Sequence, residues 1–167
     1  MNVNKWGNHG WEFLHTIAFN YPEQPTKEQK THYKNFFTNI TYVLPCKYCR
    51  ELFILYLKYI PIDIFLDNKY SLSYWLFSIH NLINQKINKP NFIFKDICKK
   101  YNSYKAKCSK NSCNIEVVNS SDYNTIFCNK TYKYKCIIEN LIKKLKKIKK
   151  NPNKNNFNND IKIIINY

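Results

Sequence analysis

The stretch "LPCKYCREL", residues 44–52, sets Cys46 and Cys49 two residues apart. Such a pair is a redox disulfide, half of a zinc site or a chance spacing, and the fold around it separates the three. Pro45 suits the start of a helix, because its ring fixes a helical φ and its missing N–H loses no partner there. The run "CKYCRELFILYLKY" then reads as one helix, ended by Pro61. Both cysteines stand near the helix N-terminus, where unpaired amides and the helix dipole favour thiolate. A dithiol–disulfide centre needs this arrangement, with the first cysteine open to exchange. Zinc needs two further ligands at suitable spacing. No second CxxC exists, and Cys98, Cys108, Cys113, Cys128 and Cys136 are irregularly spaced, so no metal site is expected. A thioredoxin-like site is disfavoured as well, since no strand–helix–strand pattern surrounds the motif. A lone CxxC is a weak signal, and its company decides.

Outward from this helix, the first hundred residues read as further short helices. In "HGWEFLHTIAF" Trp11, Leu14, His15 and Ala18 share one face at spacings of three and four. Pro22 and Pro25 in "NYPEQPT" stop it, and Thr26 with Gln29 offers a capping box ahead of "HYKNFFTNITYVL". After a loop around "LDNK", "SLSYWLFSIHNLINQKI" makes a fourth helix closed by "NKP", and "FKDICKKY" a short fifth. The expectation is an all-α fold, a small bundle of four helices plus a short fifth over residues 1–101. A hydrophobic content of 44% with 17% aromatics supplies its core.

The two glycines, Gly7 and Gly10, are too few for a P-loop or a Rossmann fingerprint, which need several at fixed spacing. Any nucleotide cofactor is therefore held by side chains and helices. No run of 18 uncharged apolar residues is present, so no transmembrane helix is expected. The start, "MNVNKWGNHGWEFLH", lacks the apolar stretch of a signal peptide.

Residues 102–167 differ in character. They carry 14 Lys/Arg against 4 Asp/Glu, a net of +10, where residues 1–101 carry 13 against 7, a net of +6. A polyanion partner is one reading. Solvated lysine in a chain rich in Asn, Lys, Ile and Tyr is the favoured one, with no specific nucleic-acid site. The stretch "NSYKAKCSKNSCNIEVVNSSDYNTIFCNKTYKYKC" is polar and weakly periodic. An amphipathic helix over about residues 131–150 then places Ile137, Leu141, Leu145 and Ile148 on one face, opposite lysines. An anionic membrane is one home for it, but packing on its own domain is favoured. The tail "NPNKNNFNND" is low-complexity and expected to be disordered.

The company of the CxxC is "WGNHGWEFLHTIA" upstream and "HNLINQKINKP" downstream. The second stretch puts His80, Asn81 and Asn84 on one helical face, and polar groups inside an apolar bundle need partners. An ordinary wet face is the alternative for them, and a satisfied core histidine for His15. Taken together, "WG…W..LH..A..YP..PT", then "PC..C", then "HN..N.K..KP" resembles the Erv/ALR flavin-linked sulfhydryl oxidases over about residues 5–101.

The resemblance implies an FAD held in a helical bundle beside the CxxC. Lys5, Trp6, Gly7, Trp11 and His15 would form one part of the flavin site. His80, Asn81, Asn84, Lys86 and Lys89 would form the other wall, with Lys100 and Tyr101 as the family's basic–aromatic pair. Cys46 and Cys49 would oxidise protein dithiols and pass electrons to FAD and on to molecular oxygen, giving hydrogen peroxide. A homodimer is implied too, and the residue usage with no visible leader suggests a large-DNA-virus member, in a viral factory or virion in host cytoplasm. Leu44 departs from the family, where tyrosine is common. Lys58 and Phe77 replace a structural disulfide, and packing by Phe77 is expected to take its place. Cys108, Cys113, Cys128 and Cys136 are either a mobile relay pair of the kind many members carry, or staples of a small appendage. Cys98, on the fifth helix, is left out of any relay. The reading outside this family is a zinc- or disulfide-stapled basic binding or structural module.

Overall fold

A computed structural model describes residues 1–105, 107–109, 112–114 and 121–150; the tail expected to be disordered lies outside them. Helix α1 spans Val3–Phe19, with the Asn2 side chain accepting from the Asn4 amide at 3.0 Å. Helix α2, Lys27–Val43, starts at the expected capping box: Thr26 Oγ1 accepts from the Gln29 amide at 3.2 Å, and Gln29 Oε1 from the Thr26 amide at 2.9 Å. Helix α3 spans Lys47–Tyr59. Its N-cap is Cys46, so Pro45 lies before the cap and not on the first turn as expected. A sulfur that accepts the Cys49 amide does the capping, which leaves the proline outside.

After Pro61, a short 3-10 turn, Ile62–Phe65, leads into helix α4, Lys69–Lys86. Here α4 begins two residues before the expected Ser71. Asn68 accepts from the Tyr70 and Ser71 amides at 3.0 Å each, and Ser71 Oγ accepts from the Asn68 amide at 3.2 Å. This second capping box was hidden in what reads as a polar loop. Helix α4 is buried on most faces, as a helix at the centre of a bundle must be. It packs against α1 on one flank, where Ser73 Oγ donates to the Ala18 carbonyl at 3.1 Å. Trp75, fully buried, donates from Nε1 to the Ile60 carbonyl at 2.9 Å and so ties α4 to the end of α3.

Helix α5, Phe94–Asn102, contributes Ile97, Cys98 and Tyr101 to a second apolar cluster with Phe19, Tyr70 and Phe77. Phe77 packs toward α5, its ring 4.9 Å from that of Phe94 in a cluster with no residue of α3, so it does not replace the α3–α4 bridge as expected; Lys58 stands over the Tyr59 ring at 5.9 Å. A two-stranded antiparallel hairpin follows, β1 (Lys107–Ser109) with β2 (Ser112–Asn114), setting Cys108 opposite Cys113. Apart from this hairpin the described fold is all-helical.

Helix α6, Ser121–Lys150, is ten residues longer than the expected helix at its start. Ser121 and Asp122 are residue types that favour a helix N-terminus, and they lie upstream of the apolar periodicity. The expected packing is present, with the buried row centred on Tyr134, Ile138 and Leu145 in the main core and Ile137 only half-buried. Polar ties fix the same helix: Asn68 Nδ2 donates to Tyr134 Oη at 3.2 Å, and Lys130 Nζ lies 3.8 Å from Glu23. No helix among the described residues is long and apolar enough to cross a membrane.

Candidate active site

Four helices bring the site together. On α3, Cys46 Sγ accepts the Cys49 amide at 3.3 Å, and both residues are half-buried free thiols. The sequence leads one to expect thiolate stabilisation at both cysteines. In the dithiol, the helix-terminal amide serves Cys46. Burial pushes the Cys49 thiol up to about 12, the Cys46 sulfur beside it adds to the rise, and its backbone and Arg50 oppose it.

Trp11 on α1 stacks on His80 of α4, with ring centroids 3.9 Å apart and planes 6° from parallel. His15, one turn beyond Trp11, meets His80 at 3.0 Å from Nε2 to Nδ1, and Tyr101 of α5 lies over His15 at 5.1 Å. The same Trp11 ring packs 6.4 Å from Phe53 on α3, so the helix that carries the dithiol abuts this wall. Burial holds both imidazoles neutral: His15 lies well below its ordinary value, with the adjoining His80 and Lys100 also disfavouring its protonation, and His80 falls to about 3, helped by Lys89. Two buried ring nitrogens in this region, Trp6 Nε1 and His15 Nδ1, have no hydrogen-bond partner in the protein. A buried polar atom without a partner costs roughly 1–3 kcal/mol, so both await a ligand or solvent.

Asn81 and Asn84 shape the wall from behind. Asn81 donates to the Phe92 carbonyl at 3.0 Å and accepts from the Phe92 amide at 2.9 Å, while Asn84 Nδ2 donates to the Pro90 carbonyl at 3.3 Å. The turn they hold is a Schellman end to α4. Asn88 adopts φ 55°, the Lys89 amide reaches the Asn84 carbonyl at 2.8 Å, and the Asn88 amide the Gln85 carbonyl at 3.4 Å. This bend brings Lys89 close enough to depress His80. Lys86 ends α4, half-buried, and Lys5 is exposed on the first turn of α1. Lys100 is held by Glu12 at 3.1 Å, and Tyr104 Oη donates to the same carboxylate at 2.6 Å. These two hydrogen bonds, Tyr104's the larger, lower the Glu12 pKa.

Gly7 lies one turn along α1 from Val3, whose methyl would stand 3.2 Å from an added Cβ. Gly10 was not singled out in the sequence, yet a Cβ there would stand 3.3 Å from the Trp6 ring. It lets the indole lie against the helix backbone. A glycine inside a helix costs about 0.5–1 kcal/mol relative to alanine, and that unexplained cost was the signal available. The four cysteines beyond the bundle divide into two kinds. Cys108 and Cys113 face across the hairpin ladder. Cys128 and Cys136 both lie within α6, Cys136 in the expected helix and Cys128 in the stretch that reads as weakly periodic. Eight residues of helix separate those two by about 12 Å, too far for a disulfide between them.

An all-helical bundle with a dithiol at one helix N-terminus, set against a buried indole and histidine wall, is a class apart from the βαβ thiol proteins. The sequence model of the Erv1 / Alr family matches residues 8–104, more than half of the chain, and the chain belongs to that family. A probable FAD-linked sulfhydryl oxidase of Acanthamoeba polyphaga mimivirus is 39% identical over 90 residues, which cover 53% of this chain and 63% of the relative. The mitochondrial FAD-linked sulfhydryl oxidase ERV1 of Saccharomyces cerevisiae is 32% identical over 91 residues, 54% of this chain and 47% of the relative. The chain thus spans about half to just under two thirds of the length of these relatives. The crystal structure of the FAD binding domain of Erv1 from Saccharomyces cerevisiae superposes with a TM-score of 0.57 at 31% identity, covering 60% of this chain and 94% of that one.

Proposed function

We propose that the chain is an FAD-dependent sulfhydryl oxidase that makes disulfides in protein dithiols and reduces molecular oxygen to hydrogen peroxide. The observation that carries this reading is the contact chain from the CxxC helix through Phe53 and Trp11 to His80. The residues fit a flavin: Trp6 Nε1 and His15 Nδ1 offer buried hydrogen-bonding atoms, and the rings of Trp11 and Tyr101 offer aromatic faces. Lys86 and Lys89 stand at the end of α4, where their charges suit a pyrophosphate. FAD, when bound, supplies a two-electron acceptor that oxygen regenerates.

The chain's own part begins with exchange. A substrate thiolate attacks Cys46 Sγ of the Cys46–Cys49 disulfide, the S–S bond breaks, and Cys49 leaves as thiolate. A second substrate thiolate then attacks the substrate sulfur of the mixed disulfide, which releases the substrate disulfide and the Cys46 sulfur. The Cys49 amide hydrogen, aimed at Cys46 Sγ, stabilises the negative charge that returns there. His15 and His80, both neutral, add no positive charge of their own to the wall.

The catalytic unit in this reading is residues 1–101, with residues 102–167 an extension docked on it through α6. Cys108 and Cys113, opposed in the hairpin, are the pair suited either to relay electrons to Cys46 or to staple the hairpin. A homodimer through α1 and α2 is favoured by Phe13, 58% exposed and edge-on to Phe36, and by exposed Tyr42 and Val43. Among the described residues no three His, Cys, Asp or Glu gather to hold a metal, and the zinc- or disulfide-stapled module is the reading to test against. The absorption spectrum and metal content of the purified protein test the reading. A bound flavin band is expected, and a colourless protein carrying zinc refutes it.

A further inference from the structure

Arg50 is the chain's sole arginine, and it sits on the first turn of α3, immediately after Cys49. A cation there opposes the helix dipole, so its position is locally unfavourable and asks for a cause. Its guanidinium folds backward: Nη1 donates to the Leu44 carbonyl at 2.5 Å, across Pro45 and Cys46, while its own amide donates to the Cys46 carbonyl at 3.1 Å. Side chain and backbone of one residue thus clasp both ends of the segment that presents Cys46. Arg50 is half-buried, the bond to Leu44 holds its guanidinium in place, and a cation fixed on the residue next to Cys49 favours that thiolate. Of the other charges about this turn, Lys47 is 4.0 Å from Glu51 on the same helix, and the Met1 ammonium is a second cation on the turn, donating to the Pro45 carbonyl at 3.1 Å on the Cys46 side.

We propose that Arg50 is a positioning residue that straps the CxxC turn and stabilises the Cys49 thiolate as it leaves during attack on Cys46. This rests on the thiol-oxidase reading above. When a substrate sulfur bonds to Cys46, the electron pair of the broken S–S bond goes to Cys49, and no proton accompanies it at that moment. The Cys46 sulfur, which opposes Cys49 ionisation in the dithiol, is then covalently occupied. The Cys49 backbone and Arg50 remain as the groups that favour the anion. A better-stabilised leaving thiolate departs faster.

The test needs neither flavin nor oxygen, so its failure is separable from failure of the oxidase reading. In a Cys46→Ser background, which isolates Cys49, the pH profile of Cys49 alkylation by iodoacetamide is followed by peptide mapping for Arg50, Arg50→Lys and Arg50→Gln. Arg50→Gln is expected to raise the midpoint by roughly 0.5 to 1.5 pH units, and Arg50→Lys by less than half as much. Arg50→Met, with a fuller apolar stem, repeats the neutralisation should Gln cost the fold. With Cys46 intact, anaerobic reduction of the Cys46–Cys49 disulfide by dithiothreitol is expected to slow about three- to tenfold in the neutral variants. Coincident alkylation profiles for Arg50 and its neutral variants overturn the proposal. So does a Lys variant displaced as far as the Gln variant.

Discussion

Cys46 holds two duties at once, since its sulfur caps α3 and is also the atom a substrate would attack. Serine is a good N-cap, so Cys46→Ser preserves the helix start and isolates the chemistry. Turnover with dithiothreitol should vanish in Cys46→Ser while flavin content and melting temperature stay near the parent; near-parental turnover would contradict the assignment. The paired imidazoles of His15 and His80 make a second residue-scale prediction. Both are neutral in the fold, whereas the unfolded chain takes up protons below a pH of about 6.5. Stability is therefore full above that value and falls as pH drops toward 3, by roughly 1.4 kcal/mol per pH unit for each histidine. Melting temperatures measured between pH 7.5 and 5, where carboxylates are still ionised, should decline steadily below 6.5. A flat profile would show that the pair is protonated at little cost. At this scale the sequence revealed which residues gather, because Trp11, His15, His80 and Tyr101 sit in spaced motifs. It did not reveal their hydrogen bonds. Asn81 reads as a ligand-facing amide, yet both its polar atoms serve the Phe92 backbone.

Helix boundaries were legible where a proline or a capping box advertises them, as at Thr26 and Pro61, and obscure where the cap was unusual. A cysteine cap at α3 and a Ser71 partner to Asn68 carry no strong sequence signal. Most obscure was α6, whose first ten residues are too polar to show a period, and whose buried face is fixed by contact with α4 and α5. Ile138 is 2% exposed in the main core beside Tyr134. Replacing it with alanine should cost about 2–5 kcal/mol, by lost transfer energy and an unfilled cavity. Chemical denaturation measures this. A loss under 1 kcal/mol would mean that α6 rests on the bundle without being part of its core. The same contacts agree with the favoured packing of the C-terminal helix on its own domain and extend it back over residues 121–130, which read as weakly periodic. Truncation after Tyr101 should uncover core surface and lower stability as well as remove the hairpin cysteines.

Across the whole molecule, a bundle of short helices encloses a neutral, aromatic wall and leaves its positive charge outside, on α6 lysines such as Lys143, Lys144, Lys146 and Lys147. Phe13 remains exposed beside Phe36, and the dimer reading assigns it to a second copy. Sedimentation should give a dimer at micromolar concentration, and Phe13→Glu should shift it toward monomer; a monomeric parent with full activity would remove the dimer from the account. The central claim is electron flow from the Cys46–Cys49 pair to a bound flavin and then to oxygen. Oxygen consumption with dithiothreitol, measured side by side for the parent and Cys49→Ser with peroxide assayed, tests it most directly. The account predicts peroxide in step with dithiol oxidised by the parent and none above background from Cys49→Ser. Equal oxygen consumption by the two proteins would contradict it.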